Sequence, residues 1–244
     1  MAQIKTNAVV IGRTDYRESD RMLTLFSPDR GRLEVLARRA KSPKSPLLSA
    51  SELFCSGEYL LYTSGEHASL VSCQVTDAFY PLREDYGRLS HGTLMLEMCR
   101  VVVQPDQPEP RLFLHFLRSL AHLAYGGASP RSVTAVFMAG LLSLNGFRPG
   151  VRNCAACGAP LTPDEGDAFG FSLTRGGILC RECRKNGELR LTGKDVADMQ
   201  WIMKEGLAAL DGGLEVSSAV FYSLLEMVKS RLECTFQSEK MLLL

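Results

Sequence analysis

Between Asn153 and Lys185 four cysteines stand in two pairs, Cys154-x2-Cys157 and Cys180-x2-Cys183, with 22 residues between the pairs. Two thiolates two residues apart can wrap around one metal ion, and Gly158 directly after the first pair permits the tight turn this needs. The pattern predicts one tetrahedral, four-sulfur Zn2+ site. The alternative, two redox-active pairs, normally sits in a thioredoxin-like pattern that the flanking residues lack. Four thiolates fill the coordination shell, and His67, His91, His115 and His122 all lie outside the segment. None begins an H-x-E and no H-E-x-x-H occurs, which removes the deaminase and zincin readings. The zinc is therefore expected to be structural. A segment this small and polar is expected to draw its folding free energy largely from metal binding.

The remaining cysteines, Cys55, Cys73, Cys99 and Cys234, stand singly in apolar surroundings and read as small core residues. Eight cysteines without a disulfide framework, and an N-terminus "MAQIKTNAVV" without a long apolar run, predict a cytosolic chain. No stretch approaches the roughly 18 apolar residues of a membrane helix. With 244 residues, 45% hydrophobic and 23% charged, the chain is long enough for two or three modest domains.

Residues 1 to 79 read as strands. In "GRLEVLARR" Leu33, Val35 and Ala37 alternate with Arg32, Glu34, Leu36 and Arg38, the period of a half-buried strand. "RMLTLF" precedes it across "SPDRG", whose Pro28, Asp29 and Gly31 suit a hairpin turn. "NAVVIGR", "LFCSGEYLLYT" and "SLVSCQV" supply three more strands. Five short strands in this length predict a small closed barrel of the OB type.

After "FYPLRED" the period becomes helical. A helix is predicted over "DYGRLSHGTLMLEMCRVVV", and a second over "RLFLHFLRSLAHLAYGG", which ends at Gly126 and Gly127. A third begins with Ser129 as N-cap and Pro130 at the first position and stops at Asn145 and Gly146. "TGKDVADMQWIMKEGLAAL" and "EVSSAVFYSLLEMVKSRLEC" read as two more. His115 and His122, seven apart on one face, read as packed or surface histidines. The expected organisation is multidomain α+β: an OB-fold nucleic-acid-binding domain at 1–79, and a helical domain at 80–150 and 191–244 interrupted by the zinc module at 151–190, whose ends must lie close together.

The net charge of +1 hides a local excess: residues 30–44 hold six basic side chains (Arg30, Arg32, Arg38, Arg39, Lys41, Lys44) against one acid, Glu34. Residues 45–79 carry four acids and no Lys or Arg, so one edge of the barrel is expected to be strongly positive. Such a run can neutralise phosphates without reading bases. Tyr16 and Phe26 lie among the charges and could stack on bases, though the core is the expected place for both. Arg181, Arg184, Lys185 and Arg190 give the zinc module a basic end that fits either nucleic acid or a solvated rim. No Walker A, G-x-S-x-G or cofactor fingerprint occurs, and no catalytic constellation is found.

The stretch "VVIGRTDYRESDRMLTLFSPDRGRLEVLARRAKSPKSP" resembles the opening of the bacterial RecO family: a Y-x-E-x-D-like segment, a strand ending in Phe-Ser, a Gly-Arg turn, and a basic Ala-Arg-x-Ala-Lys run with a downstream Ser. The order of barrel, helical domain and inserted four-Cys module extends the resemblance over the chain. Many members carry Gly inside the basic run where this chain has Arg39, so a positive φ is not expected there. The resemblance implies a non-enzymatic recombination mediator in DNA repair, cytoplasmic and nucleoid-associated. It would bind single- and double-stranded DNA, anneal complementary strands and, with RecR, help RecA replace single-stranded-DNA-binding protein. By position Arg38, Arg39, Lys41 and Lys44 inherit DNA binding, with Arg13, Arg17, Arg21, Arg30 and Arg32 as further candidates. The resemblance also implies that the acidic C-terminal tail of the single-stranded-DNA-binding protein docks on an apolar pocket of the helical domain, and that RecA is met indirectly. The reading from another class is a nucleic-acid-processing enzyme that uses barrel and zinc module as substrate grips; no adenylating Lys motif or nucleophilic Tyr site supports it.

Overall fold

The computed structural model describes residues 2–65, 67–163, 168–185 and 187–243, so residues 164–167 and 186 of the expected zinc module lie outside it. The chain is a multidomain α+β protein of two compact units, Met1–Leu117 and Arg118–Leu244. No helix among the described residues is long and apolar enough to cross a membrane.

The first unit is built on five strands: β1 (Ala2–Tyr16), β2 (Asp20–Ser27), β3 (Gly31–Ala37), β4 (Ser56–Ser64) and β5 (His67–Asp77). They close into an OB-like barrel in the order β1-β2-β3-β5-β4. β1 is long because it pairs twice, with β4 over residues 2–9 and with β2 over residues 9–16, and its register shifts between Val10 and Gly12. A bulge there bends the strand from one partner to the next, which is how a short sheet closes. Gly12 permits the close approach: a Cβ on it would lie 3.1 Å from the Thr24 side chain.

The predicted hairpin is present, with Ser27 paired to Gly31 and Leu25 to Leu33. Its inward residues Leu23, Leu25, Val35 and Ala37 join Ala8, Val10, Tyr59 and Leu61 in the barrel core. Phe26 is fully buried outside that cluster, its ring 5.3 Å from Phe113 in an edge-on contact and 6.5 Å from Phe116. Those rings belong to α2 (Pro110–Tyr125), which follows α1 (Tyr86–Val102, capped by Asp85). Phe26 is therefore core, as expected.

In the second unit α3 (Pro130–Leu144) carries the predicted Ser129 cap, Pro130 start and Asn145 end, and it is buried over residues 132–139. α4 (Gly193–Glu205) and α6 (Ser218–Leu232) pack against it, and a four-residue α5 (Ala208–Asp211) lies between them in the chain. The single helix expected over 192–210 is thus broken: Gly206, at φ +59°, ends α4. Asp195 links two helix starts: its Oδ2 accepts from Thr192, the α4 cap, and its Oδ1 accepts from Ser217, the α6 cap.

The cysteine module contains a three-stranded sheet, in the order β7-β6-β8, of β6 (Ala168–Ser172), β7 (Gly177–Leu179) and β8 (Leu189–Thr192). Phe169, Phe171, Ile178, Leu179 and Leu191 are all buried. The Gln200 side chain on α4 donates to the carbonyls of Val151 and Leu161, and Arg231 on α6 donates to that of Leu173. The segment therefore does bury apolar side chains, contrary to the expectation that it is too small and polar to form a core. β8 runs directly into α4, with Thr192 serving as the end of one and the cap of the other.

Candidate nucleic-acid interface and metal centre

The nine basic residues assigned to the barrel do not form one edge. Arg30 lies in the hairpin turn and Arg32 at the start of β3, while Arg38 follows its end. Six residues of strand carry the chain from Arg32 to Arg38, about 20 Å at the usual rise. The Arg32 guanidinium is occupied, donating to the Arg100 carbonyl at 3.3 Å with Glu34 at 3.9 Å. The expected single positive edge is thus split between the two ends of β3.

At the other end, three cations are engaged by acids. Arg21, only 12% exposed in its side chain, meets Glu52 at 2.8 Å and Asp15 at 3.7 Å and donates to Ser51. Arg13 shares Glu52, and Lys41 meets Asp15 at 3.0 Å. Hydrogen bonding from Lys41 holds the Asp15 carboxyl below the usual carboxylate range. Arg17 lies over the Tyr16 ring, 5.2 Å from its centroid. Arg38, Arg39 and Lys44 differ: all three are exposed, and none has an ion-pair partner among the described residues. They surround a hollow of about 300 Å3 with Leu47 and Val71.

Arg39 has φ +56°, contrary to the expectation for a non-glycine residue. The cause is local. Ala37 and Ala40 are both fully buried, so the chain must turn sharply while Arg38 and Arg39 stay outside. The Arg39 N–H is capped by the Asp20 carboxylate at 2.8 Å, and the Lys41 N–H bonds to the Ser19 carbonyl at 3.0 Å. These bonds offset a left-handed cost of about 1–2 kcal/mol.

Beside this hollow lies a larger groove of about 760 Å3, lined in part by Tyr16, Met22, Arg38 and Tyr62. Tyr16 is 44% exposed, so it is not the core residue expected of it.

The sulfur atoms of Cys154, Cys157, Cys180 and Cys183 all lie within 4.8 Å of one another, with Cys157 and Cys180 at 3.9 Å. Four sulfurs at about 2.3 Å from a tetrahedral zinc stand about 3.8 Å apart, so the cluster has the right size for a metal ion. Backbone geometry makes it: the Ala155 N–H bonds to the Ile178 carbonyl, and the Cys180 N–H points at the Cys154 sulfur at 3.4 Å. Gly158 takes the expected turn at φ +78°. Burial opposes ionisation of Cys154, but backbone N–H groups at Cys157, Cys180 and Ala156 outweigh it and hold the thiol down at about 6. Cys183 is pushed up to about 12, first by its hydrogen bonds to Cys180 and Cys157. Once one sulfur is ionised the next resists, and a divalent cation removes that conflict. The lone cysteines differ: burial pushes Cys55 and Cys99 up, and Cys73 to about 11. His122 lies 3.8 Å from Asp211 and is not part of the cluster.

Two family models match the chain, "Recombination protein O N terminal" over residues 1–79 and "Recombination protein O C terminal" over 83–240. The chain belongs to the RecO family. It is 32% identical to the DNA repair protein RecO of Acetivibrio thermocellus over 239 residues, which cover 96% of this chain and 93% of that protein. It is 31% identical to the DNA repair protein RecO of Moorella thermoacetica, covering 74% and 66% of the two chains. The corresponding protein of Desulfitobacterium hafniense (strain DSM 10664 / DCB-2) is 30% identical, covering 81% and 70%. Within this RecO-family barrel neither Tyr62 nor Met22 stands out by motif or charge in the sequence. The signal for Tyr62 lies in "GEYLLYT", where Tyr59 and Leu61 are buried and the alternation places Tyr62 outside.

Proposed function

We propose that this chain is a non-catalytic recombination mediator in DNA repair, acting in the cytoplasm on nucleoid DNA. Its barrel, 1–79, holds single- and double-stranded DNA through phosphate contacts centred on Arg38, Arg39 and Lys44. Lys41, Arg13, Arg21 and Arg32 contribute field more than contact because they already have partners; Arg17 flanks the footprint, and Arg30, at the opposite end of β3, adds field alone. The helical parts, 80–150 and 191–244, receive the acidic tail of the single-stranded-DNA-binding protein. The module at 151–190 holds one structural Zn2+ through Cys154, Cys157, Cys180 and Cys183. With RecR, the protein anneals strands and helps RecA onto coated DNA.

The observation that carries the DNA-binding assignment is the contrast among the cations. Arg38, Arg39 and Lys44 are exposed on one loop without acidic partners among the described residues, whereas Arg21 and Lys41 are neutralised. Unpaired cations release condensed counterions when they bind DNA; paired ones must first break a bond. In the variant combining Arg38→Ala, Arg39→Gly and Lys44→Ala, the single-strand salt slope is expected to fall by about 2, at about 0.7 per lost contact, equally for all sequences. An unchanged slope in a folded variant would move the footprint elsewhere, with Arg181, Arg184, Lys185 and Arg190 the next candidates.

A further inference from the structure

The groove beside the basic loop is more apolar than phosphate binding requires. Tyr16 at 44%, Met22 at 37%, Tyr62 at 37% and Val71 at 46% exposure are large side chains left open to water around one cleft. Contiguous apolar surface rimmed by polar groups marks an interaction site. Its position in the barrel is specific. Met22 and Leu36 are cross-strand partners on β2 and β3, Tyr16 precedes the β1–β2 connection, and Ser64 and His67 flank the β4–β5 connection. The face of strands 2 and 3 between these two connections is where OB barrels take oligonucleotides. Arg38 and Val71 line both this groove and the hollow of Arg38, Arg39 and Lys44, so the two are adjacent. A backbone held at the cations would pass its bases along the tyrosines.

We propose that Tyr16 and Tyr62 are base-stacking platforms for unpaired nucleotides, and that this groove is what separates single-stranded from double-stranded DNA on this protein. The proposal rests on the reading that the barrel binds DNA. Bases in a duplex already stack on one another and cannot offer a face to a side chain, whereas splayed bases stack on aromatic rings with little regard to sequence. Phosphate contacts at Arg38, Arg39 and Lys44 serve both forms of DNA, while the tyrosines act on single strands alone. Arg17 over the Tyr16 ring helps hold it in place and adds a cation beside the stack. Among the described residues that line the groove Glu34 is the acid, and its carboxylate accepts from Thr24 at 3.0 Å.

The test uses the full chain with an oligo(dT) single strand and a duplex of mixed sequence. Tyr16→Ala and Tyr62→Ala are each expected to weaken single-strand binding about tenfold at fixed salt, the scale of one lost base–aromatic stack. The salt slope and duplex affinity should stay unchanged, and Tyr16→Phe and Tyr62→Phe should bind as the parent does. Photocrosslinking of the unmodified protein to a 5-iodouracil oligonucleotide, which does not depend on any variant folding, should place crosslinks on Tyr16 or Tyr62. Alanine variants that bind single strands normally, or lose both forms of DNA equally, would overturn the proposal, as would crosslinks confined to residues outside the groove. Silent tyrosine variants alongside a reduced slope in the cationic variant would sink this inference alone. An unchanged slope in the cationic variant would sink the reading on which it rests.

Discussion

Arg39 combines a backbone strain with a charge exposed to solvent, and one substitution separates the two. At φ +56° glycine avoids the left-handed cost that an L side chain bears. Arg39→Gly is therefore expected to raise stability by about 0.5–1 kcal/mol while lowering the single-strand salt slope by about 0.7, read by thermal unfolding and salt titration. A variant less stable than the parent would mean that the lost side chain made a contact worth more than the strain. Asp15→Asn makes the reverse experiment. Removing the carboxylate frees Lys41, 3.0 Å away, and should steepen the slope by about 0.7. The charge of this loop could be read from the sequence, but its pairing could not. Asp15 is remote in sequence from Lys41, and Glu52 from Arg13 and Arg21, so only the closed barrel brings acid and base together.

At the scale of elements, local chemistry was a good guide wherever one residue type served one geometry. Ser129 with Pro130 started α3, and Pro28, Asp29 and Gly31 turned the hairpin. Gly31 also does something its turn role does not reveal: at φ +63°, a Cβ there would collide with the Gln104 carbonyl. Gly31→Ala should therefore lower stability by about 2–4 kcal/mol, measurable as a reduced denaturation midpoint. The sheet of the cysteine module was not legible, because strands of three to five residues separated by glycines leave too short a period to read. Its buried Phe169, Phe171, Ile178 and Leu191 change what metal removal should do. Chelation, or Cys154→Ser with Cys157→Ser, is expected to speed amide exchange around 151–161 and 180–185 while α3 and α6 stay protected. Global unfolding on chelation would return the module to complete dependence on its metal.

The whole molecule raises a problem that DNA binding alone does not solve. A protein that only held single strands would compete with the resident coating protein, and mass action would favour whichever is tighter and more abundant. A second handle removes the competition. If the barrel holds DNA while the helical parts hold the coating protein's acidic tail, each contact raises the local concentration of the other through the covalent chain, without any new interaction. The basic loop and the barrel pattern were visible in the sequence because charge and strand period are local properties. A docking pocket for such a tail would draw on side chains distant in the chain, which leave no local pattern to read. The two-handle proposal makes a specific prediction for annealing without ATP. Complementary strands coated with the full-length coating protein should be annealed, whereas strands coated with a version lacking the acidic tail should not, and bare strands should be annealed in either case. Equal rates on both kinds of coated strand would leave simple DNA binding as the whole of the activity.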